Sequence, residues 1–439
     1  MMRYLLLFFF CAFVSAQNIY YVDYEGGNDS NAGTINAPWK NASKISSGST
    51  TNDTVRLKGN VTLVPDAQLV LDSGQTLESY GEGIATIQVS TANKHCVQLD
   101  TTTGVTIQKI NLRHIIGSDP GAYSCVQVST SVNNLTLYGV GFFGGFAGFN
   151  CGSDSGTGNL IYGCFFERQW TDGIDVRGTL NLLINNCTFW NVGNDGGAAA
   201  VGGAGDAISS HDQGTFTATE CRFYSGHRGP GQHVHTSGTC TYTRCFVEVD
   251  SATLTGTGIF GMNAAGRLDV NNCVIIHTGT TARYAFLCGT GGTLNAYNNT
   301  YVSNSTSSGR IVFLCSSGTL TAINNLIHLG ATFGTHTQKN SGATFTSNYN
   351  SYYPSTGNRW IIDGTAGTFA TWQGSGRDAN GITTDPLLYN ATTPSTVSDV
   401  RLTTSSPCRS AGTADSGIGV DIRNRTRVTM EVGAWSKER

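Results

Sequence analysis

Short runs of alternating apolar and polar residues recur along most of the chain, and each run has a small side chain near its end. A period of two is typical of a half-buried β-strand, in which successive side chains point to opposite faces. The runs are also rich in β-branched and aromatic residues, as strands are. Ten runs align on this residue near their end: Ile110, Val140, Cys164, Cys187, Cys221, Cys245, Cys273, Asn299, Asn325 and Asn350.

The aligned residues are 23 to 34 positions apart, which indicates a solenoid with one run in each coil. A propeller is the main competitor, but its blades need about 40 residues and four strands each. We therefore predict an all-β chain folded as a right-handed, single-stranded parallel β-helix, with coils about 4.8 Å apart. The five cysteines from Cys164 to Cys273 should form one interior column. Asn299, Asn325 and Asn350 should continue it as a ladder of side-chain amides.

The two ends of the chain differ from the repeats. Residues 1–16 contain Arg3, an apolar run from Leu5 to Val14 and small residues, the pattern of a secretory signal peptide. The apolar run is shorter than the ~20 residues that span a bilayer. We predict a parallel β-helix over residues 17–353, with residues 38–45 as a short helix in its N-terminal cap. Residues 354–439 should form a C-terminal closing segment packed on the solenoid.

Composition limits the partners of the protein. Charged residues make up 13% of the chain and the net charge is −3, so no basic footprint for nucleic acid is present. No CxxC or CxxH pair is found, so a structural zinc site is not supported. We expect a secreted protein, extracellular or on the cell surface, without a membrane partner after cleavage of the signal. A monomer and a homotrimer are both compatible with the sequence.

Titratable residues cluster between residues 170 and 240, where four of the nine histidines lie close together in sequence. Three consecutive segments align on a Gly-Thr turn. Period two then places Asp175, Ser209 and His233 in one outward row of the solenoid. The candidates for catalysis are Asp172, Asp175, Asp206, His211 and His227. The candidates for substrate binding are Arg177, Arg228, His233, His235, Trp170 and Trp190.

These residue types suit the cleavage of a glycosidic bond. One carboxylic acid protonates the leaving oxygen and a second carboxylate activates water or attacks, with Asp172 and Asp206 as the first pair. A histidine relays protons, an arginine holds the carboxylate of an acidic sugar, and tryptophans stack on sugar rings. Each residue also has a plain structural interpretation, since Asp next to Gly commonly forms turns and an outward His is usually solvated.

No cofactor is required for this chemistry, but two metal sites are alternatives. His211, His233 and His235 could form a three-histidine site. Asp172, Asp175 and Asp206 could hold Ca²⁺, which would suit a lyase. A lyase also needs a base, and no lysine lies between Lys109 and Lys339. The base would then be a histidine or one of Arg177, Arg228 and Arg267, and hydrolysis is slightly favoured over elimination.

Both ends of the chain resemble a known superfamily. "YYVDYEGGNDSNAGTINAPWKNASKI" (20–45) and the C-terminal "DVRLTTSSPC" and "VGAW" are similar to the opening and closing segments of secreted pectin lyase-like proteins. "TDGID" (171–175), "GDAIS" (205–209) and "GHRG" (226–229) also resemble motifs of polygalacturonase-type hydrolases. This resemblance implies Asp172 and Asp206 as catalytic carboxylates and His227 as an accessory. However, Gly205 replaces the first Asp of that family's pair, and no R-x-K follows.

These patterns lead to two hypotheses about function. The first is a secreted enzyme that cleaves a polysaccharide, a glycoside hydrolase or a polysaccharide lyase, acting on an acidic glycan. The alternative is a non-catalytic, glycan-binding adhesin or a receptor-binding solenoid like those of phage tailspikes. In the alternative, the polar cluster would bind sugars without cleaving them.

Overall fold

The computed structural model describes residues 17–90, 94–115, 123–152, 155–193, 205–224, 230–249, 258–279, 284–304, 309–330, 334–427 and 431–435, without the side chains of Gln232, His235 and Asp415. The described residues wind through three long sheets, here named A, B and C in the order in which each coil enters them. Nearly every strand pairs in parallel with its counterparts in the coils before and after it. The predicted parallel β-helix is thus confirmed.

The strands of sheet A are Ile19–Val22, Thr54–Lys58, Thr76–Tyr80, Thr106–Gln108, Thr136–Tyr138, Ser155–Tyr162, Thr179–Asn185, Thr215–Thr219, Thr239–Thr243, Arg267–Asn271, Thr293–Tyr297, Thr319–Ile323 and Thr344–Asn348. Those of sheet B are Thr62–Leu63, Ala85–Val89, Ile110–His114, Gly141–Gly144, Phe165–Glu167, Thr188–Trp190, Arg222–Tyr224, Phe246–Val249, Val274–His277, Thr300–Ser303, Leu326–Leu329 and Ser351–Tyr353. Those of sheet C are Val70–Leu71, Val97–Leu99, Val126–Val128, Phe149–Cys151, Ile174–Val176, Ile208–Asp212, Gly231–His235, Gly258–Met262, Tyr284–Cys288, Ile311–Cys315, Thr335–Lys339, Trp360–Ile362 and the antiparallel Thr365–Gly367. Thr102–Thr103 and Val132–Asn133 form a small fourth sheet.

Each run that looks like one strand in the sequence contains two strands, because a single-residue corner separates sheet A from sheet B. The corner residue has a left-handed backbone, with φ between 51° and 63°. It stands directly before the aligned small residue, which points inward and is buried. Glycine adopts this conformation without steric cost, and asparagine tolerates it better than most other residues. The corner residues are Lys109, Gly139, Gly163, Asn186, Glu220, Arg244, Asn272, Asn298, Asn324 and Tyr349.

The aligned residues form the interior column that the sequence predicts. Cys164, Cys187, Cys221, Cys245 and Cys273 are all buried and form no disulfides. In the following coils the Asn299 Nδ2 donates to the Asn325 Oδ1 at 3.0 Å, and the Asn325 Nδ2 donates to the Asn350 Oδ1 at the same distance. The cysteine column and the asparagine ladder are both confirmed, and the ladder satisfies backbone groups that the corner leaves free.

Aromatic rings stack along the same interior. Phe142, Phe166, Phe189 and Phe223 follow one another in sheet B, with ring centroids 4.4 to 4.9 Å apart and nearly parallel planes. Such pairs contribute about 0.5–1.5 kcal/mol each beyond the area that they bury. These four coils therefore pack their phenylalanines directly on one another, each on the equivalent side chain of the neighbouring coil.

The two ends of the solenoid are covered. The helix Ala42–Gly48 buries Ala42 and Ile45 at the N-terminal end, a few residues later than predicted. The helix Phe369–Gly374 buries Trp372 at the other end. Beyond it, the chain contains short 3₁₀ turns at Val397–Val400 and Ala414–Ser416. Within the part of the chain that the structure describes, no helix has the length and apolar character needed to cross a membrane.

The C-terminal segment runs along the outer face of sheet B. Its apolar contacts join the two parts of the chain. The guanidinium of Arg427, which is buried, donates to the Asn272 Oδ1 at 2.9 Å and ties the segment to a corner residue. In the described part of the chain, the segment thus covers the outer face of sheet B in the coils from Phe246 to Leu326. The outward side chains of sheet B in this contact are Phe246, Val274, Ile276 and Val302, and those of the segment are Val400, Ile422, Ala434 and Trp435.

Replacing Asn325 by Ala should lower the free energy of unfolding by about 2–4 kcal/mol, because the buried amide groups of Asn299 and Asn350 would lose their partners. Thermal and denaturant unfolding measure the loss. Asn185→Ala is the matched control, since its side chain lies on the outer face of sheet A. Equal effects of the two substitutions would contradict a stabilising role for the ladder.

Candidate active site on the outer face of sheet C

Two neighbouring strands of sheet C carry the polar residues of the candidate site. Asp175 in Ile174–Val176 is the register partner of Ser209 in Ile208–Asp212. Ile174 and Ile208 point into the core, so the alternation of the strands turns Asp175 and Ser209 outward. The next outward residues along the two strands are Arg177 and His211, which therefore lie side by side in adjacent coils.

Asp175 is the centre of this group. Its Oδ2 accepts a hydrogen bond from the Arg177 Nε at 2.9 Å, and its Oδ1 lies 3.9 Å from the His211 Nε2. The His211 Nε2 is also 2.8 Å from the Ser209 Oγ. Asp175 is only 1% exposed, whereas the side chains of Arg177 and His211 are 45% and 35% exposed. The arginine and the histidine thus form the surface of the site, and the carboxylate beneath accepts a hydrogen bond from the arginine and lies 3.9 Å from the histidine.

Burial and nearby charges change the proton affinities of these groups. Burial raises the pKa of Asp175, although Arg177 and His211 act in the opposite direction. Burial lowers the pKa of His211, the carboxylate of Asp175 opposes this shift and Arg177 adds to it. The imidazole of His211 is therefore neutral at neutral pH and able to accept a proton.

Asp172 and Asp206 lie in the connections that lead from sheet B into these strands, and the structure brings them together. The Asp206 backbone N–H donates to the Asp172 Oδ1 at 2.9 Å. Asp172 is 7% exposed and Asp206 is 4% exposed. Burial raises the pKa of Asp172 well above its usual value, and the charges of Asp206 and Asp175 raise it further. The raised pKa favours the protonated, neutral form of the Asp172 carboxyl.

The expected outward position of His233 is wrong. His233 is buried in the interior, where its Nε2 lies 3.2 Å from the Tyr242 hydroxyl, and Val234 takes the exposed position beside His211. The cause is the length of the turn. Six positions lead from Val176 to Leu182 in the first coil, but seven lead from His233, an equivalent of Val176, to Cys240 in the third. The extra residue shifts the third strand by one position.

Five further candidates came from the sequence, and the structure describes the side chains of only two of them. His227 and Arg228 lie outside the described residues, as does the side chain of His235. Trp170 is half-buried in the connection before Asp172. Trp190 is 46% exposed and packs on Tyr224 at 5.4 Å, but it belongs to the outer face of sheet B, not sheet C.

Neither metal alternative has support from the geometry. The three-histidine site is wrong, because His233 points into the core. Among the residues that the structure describes, no three or more His, Cys, Asp and Glu side chains are arranged to hold a metal ion. Asp172 and Asp175, which the calcium alternative requires, each have an oxygen engaged by a protein donor.

A row of polar side chains leads to Asp175 and was not among the candidates from the sequence. Gln98, Gln127 and Asn150 are successive register partners that end at Asp175. The signal was present, because each stands between two buried apolar residues, in "VQL", "VQV" and "FNC". Beyond Ser209 the row continues through Gln232 and Gly261 and then becomes apolar and buried at Leu287 and Leu314.

Comparisons with known proteins agree with this architecture. A family described as "Right handed beta helix region" matches residues 95–248, the part of the chain that contains the polar row, Asp172, Asp175, Asp206 and His211. The pectate lyase Pel9A superposes with a TM-score of 0.54 at 16% identity, over 97% of both chains. The chain has a right-handed parallel β-helix fold.

Other solved structures are less similar to this β-helix protein. A rhamnogalacturonan lyase gives a TM-score of 0.48 at 14% identity, over 82% of this chain and 99% of that one. The GH136 lacto-N-biosidase from Eubacterium ramulus gives 0.44 at 12% identity, over 75% and 68%. No curated protein sequence matches the chain significantly. At 16% identity, the similarity to the pectate lyase shows the fold and leaves the activity to the residues of the site.

The stability of the Asp172→Asn variant, compared with that of the wild type at the same pH, should increase as the pH rises above 4. The pKa of the folded carboxyl is raised, so wild-type folding favours the protonated form and loses stability once the pH exceeds the ordinary pKa. Asparagine keeps an acceptor for the Asp206 N–H and has no proton to lose. The difference in Tm between variant and wild type should therefore grow from pH 4 to pH 8. An exposed aspartate changed in the same way, Asp72→Asn, should show no such growth.

Proposed function

We propose that this protein cleaves glycosidic bonds in a uronate-containing polysaccharide at the outer face of sheet C. The observation that carries the proposal is the solvent-facing pair Arg177 and His211, held by the buried Asp175. A carboxylic acid with a raised pKa, Asp172, belongs to the same cluster of charges. A fold shared with a pectate lyase supports a glycan as the class of substrate.

Arg177 is the binding group for the acidic sugar. Its Nε is used by Asp175, and within the described part of the chain its two Nη atoms donate no hydrogen bond. They are therefore available to form paired, charge-assisted hydrogen bonds with a carboxylate. The pairing with Asp175 fixes the direction of the guanidinium before the substrate arrives.

Asp172 and His211 are the proton donor and acceptor. In hydrolysis, His211 takes a proton from water while the water oxygen attacks C1. The glycosidic C–O bond breaks, and the leaving oxygen takes the proton from the Asp172 Oδ2. In elimination, His211 takes the proton at C5, a C4–C5 double bond forms, and the C4–O bond breaks with the same proton from Asp172. Asp175 acts through Arg177 and His211, and Asp206 acts through Asp172, so both are positioning residues.

The polar row gives the direction of the bound glycan. Gln98, Gln127 and Asn150 repeat at the ~4.8 Å spacing of the coils and offer amide donors and acceptors to successive sugars. On the other side of Ser209, the row has one more amide at Gln232 and then Gly261, Leu287 and Leu314, whose side chains offer no polar atoms. The polysaccharide should therefore extend from Asp175 toward the N-terminal coils. Residues 1–16 support export of the protein to a compartment where polysaccharides occur.

Incubation of the protein with uronate polymers should release shorter chains, with either new reducing ends alone or unsaturated uronates as products. Asp172→Asn and His211→Ala should each reduce kcat by about 10²–10⁴-fold. Arg177→Ala should raise KM for uronate polymers. Gln338→Ala is the matched control, because Gln338 belongs to the same row at its C-terminal end. Binding of uronate polymers without any product would instead identify a glycan-binding adhesin, and full activity of both Asp172→Asn and His211→Ala would exclude this site.

The pH dependence of kcat/KM should be bell-shaped. Activity requires neutral His211, so it should fall as the pH decreases through the lowered pKa of the imidazole. It also requires protonated Asp172, so it should fall as the pH increases through the raised pKa of that carboxyl. Asp172→Asn should abolish the alkaline limb of the residual activity and leave the acid limb in place. A wild-type profile without an alkaline limb would contradict the role of Asp172 as the acid.

A further inference from the structure

A cavity with both polar and apolar walls lies far along the solenoid from Asp175, between the C-terminal end of sheet B and the closing segment. It has a volume of about 700 Å³, within the range of about 300–1,000 Å³ that is typical of small-molecule sites. None of the candidates from the sequence belongs to it. The side chains that matter here are Asn304, His328, Tyr353, Asp385, Tyr389 and Asn390.

Sheet B provides the aromatic floor of the cavity. His328 and Tyr353 are register partners in adjacent coils, and their ring centroids are 5.2 Å apart. Both side chains point outward, because Ile327 and Tyr352 occupy the inward positions beside them. In earlier coils the closing segment covers the equivalent outward positions, such as Ile276 and Val302. At His328 and Tyr353 the closing segment lies further from sheet B, and the cavity occupies the space between them.

The closing segment provides the opposite wall, and its position is fixed. The Asn304 Nδ2 donates to the Ala391 backbone oxygen at 3.0 Å and also to the Thr392 oxygen. Tyr389 is 65% exposed, and the guanidinium of Arg401 lies over its ring at 4.5 Å. The ring is therefore held in place although most of its surface faces solvent.

Two polar atoms of residues that line the cavity have no hydrogen-bond partner in the described chain. The Asp385 Oδ1 accepts the Leu387 N–H at 2.8 Å, whereas its Oδ2 has no hydrogen-bond partner in the described chain. The His328 Nδ1 likewise has no partner there, although that atom is buried. Burial lowers the pKa of His328, so the imidazole is uncharged at neutral pH. Among the residues that line the cavity, Asp385 is then the charged one.

We propose that this cavity is a second carbohydrate site that binds a neutral sugar residue. Tyr353 and Tyr389 offer aromatic faces to the C–H groups of a pyranose or furanose ring. Asp385 and the amide of Asn390 offer acceptors and donors to its hydroxyls. The negative charge of Asp385 disfavours the uronate that Arg177 attracts, so the two sites distinguish neutral from acidic sugars. Binding at this site does not depend on cleavage. An acidic polysaccharide with neutral branches would occupy both sites at once and would therefore bind more tightly than a glycan that occupies one of them.

The test is a titration of the full-length protein with neutral disaccharides of galactose, glucose, arabinose or xylose, and with a galacturonate disaccharide, followed by calorimetry and ligand-observed NMR. At least one neutral disaccharide should bind with a Kd of about 1 mM or lower. Asp385→Asn and Tyr389→Ala should each weaken this binding about tenfold or more while leaving cleavage of short uronate oligomers unchanged. Asp172→Asn should leave the binding of neutral sugars intact.

Two control variants match the chemistry of the changes at other exposed places, namely Asp100→Asn at the end of a sheet C strand and Tyr138→Ala on sheet A. If Asp385→Asn does not fold, Tyr389→Ala still tests the site, because that side chain is mostly exposed. Absence of binding by every neutral disaccharide at about 10 mM overturns the proposal, as does binding that survives both cavity variants. Because the experiment measures binding, its result does not depend on whether the protein cleaves glycans.

Discussion

The single left-handed residue between sheets A and B is the constraint on which the rest of the structure depends. It turns the chain within one position, and it does so in ten coils with nearly the same φ. Every residue after it then points inward at the same place in each coil. Because the turn is so short, the following position is crowded, and small or medium side chains such as Cys and Asn occupy it in most coils. The regular stacking of coils about 4.8 Å apart follows from this repeated geometry.

The interior column of aligned residues, which directly follow the corner, changes from cysteine to asparagine along the solenoid, while the position of these residues in the coil stays the same. Cysteines fill it in the middle coils, where they act as small apolar side chains. Asparagines replace them in the later coils, and each amide bonds both to the next amide and to the backbone of the preceding coil. The ladder ends on Asp378, whose Oδ1 accepts from the Asn350 Nδ2 at 2.8 Å. The buried amides are satisfied only because consecutive coils supply them in register.

The sequence predicted the fold from its repeat, but it misjudged features that depend on the lengths of turns. Alternation in "LLINNCTF" slips by one residue at Asn186, so two strands and a corner look like one strand. In the site, the alignment of Asp175 with Ser209 was predictable because both coils have equal turns. His233 was misplaced because one more residue separates it from the next sheet, and period two contains no information about that length. The cavity at His328 could not be predicted, since the closing segment has no repeat.

A repetitive solenoid acquires a specific site where one coil departs from its neighbours. Along the outer face of sheet C, the position of Asp175 is an amide in the three preceding coils and a hydroxyl in the next one. The carboxylate occurs in the coil whose own strand is followed by Arg177 and whose neighbour presents His211. A carboxylate at Gln127 would have neither partner, because Ser129 and Gly152 stand at the corresponding places. Register therefore joins residues that are dozens of positions apart into one charged group, and the same register supplies the uncharged row that leads to it. The change from amide to carboxylate at one step of this row separates a line of uncharged side chains from a group in which a buried carboxylate lies against an arginine and a histidine.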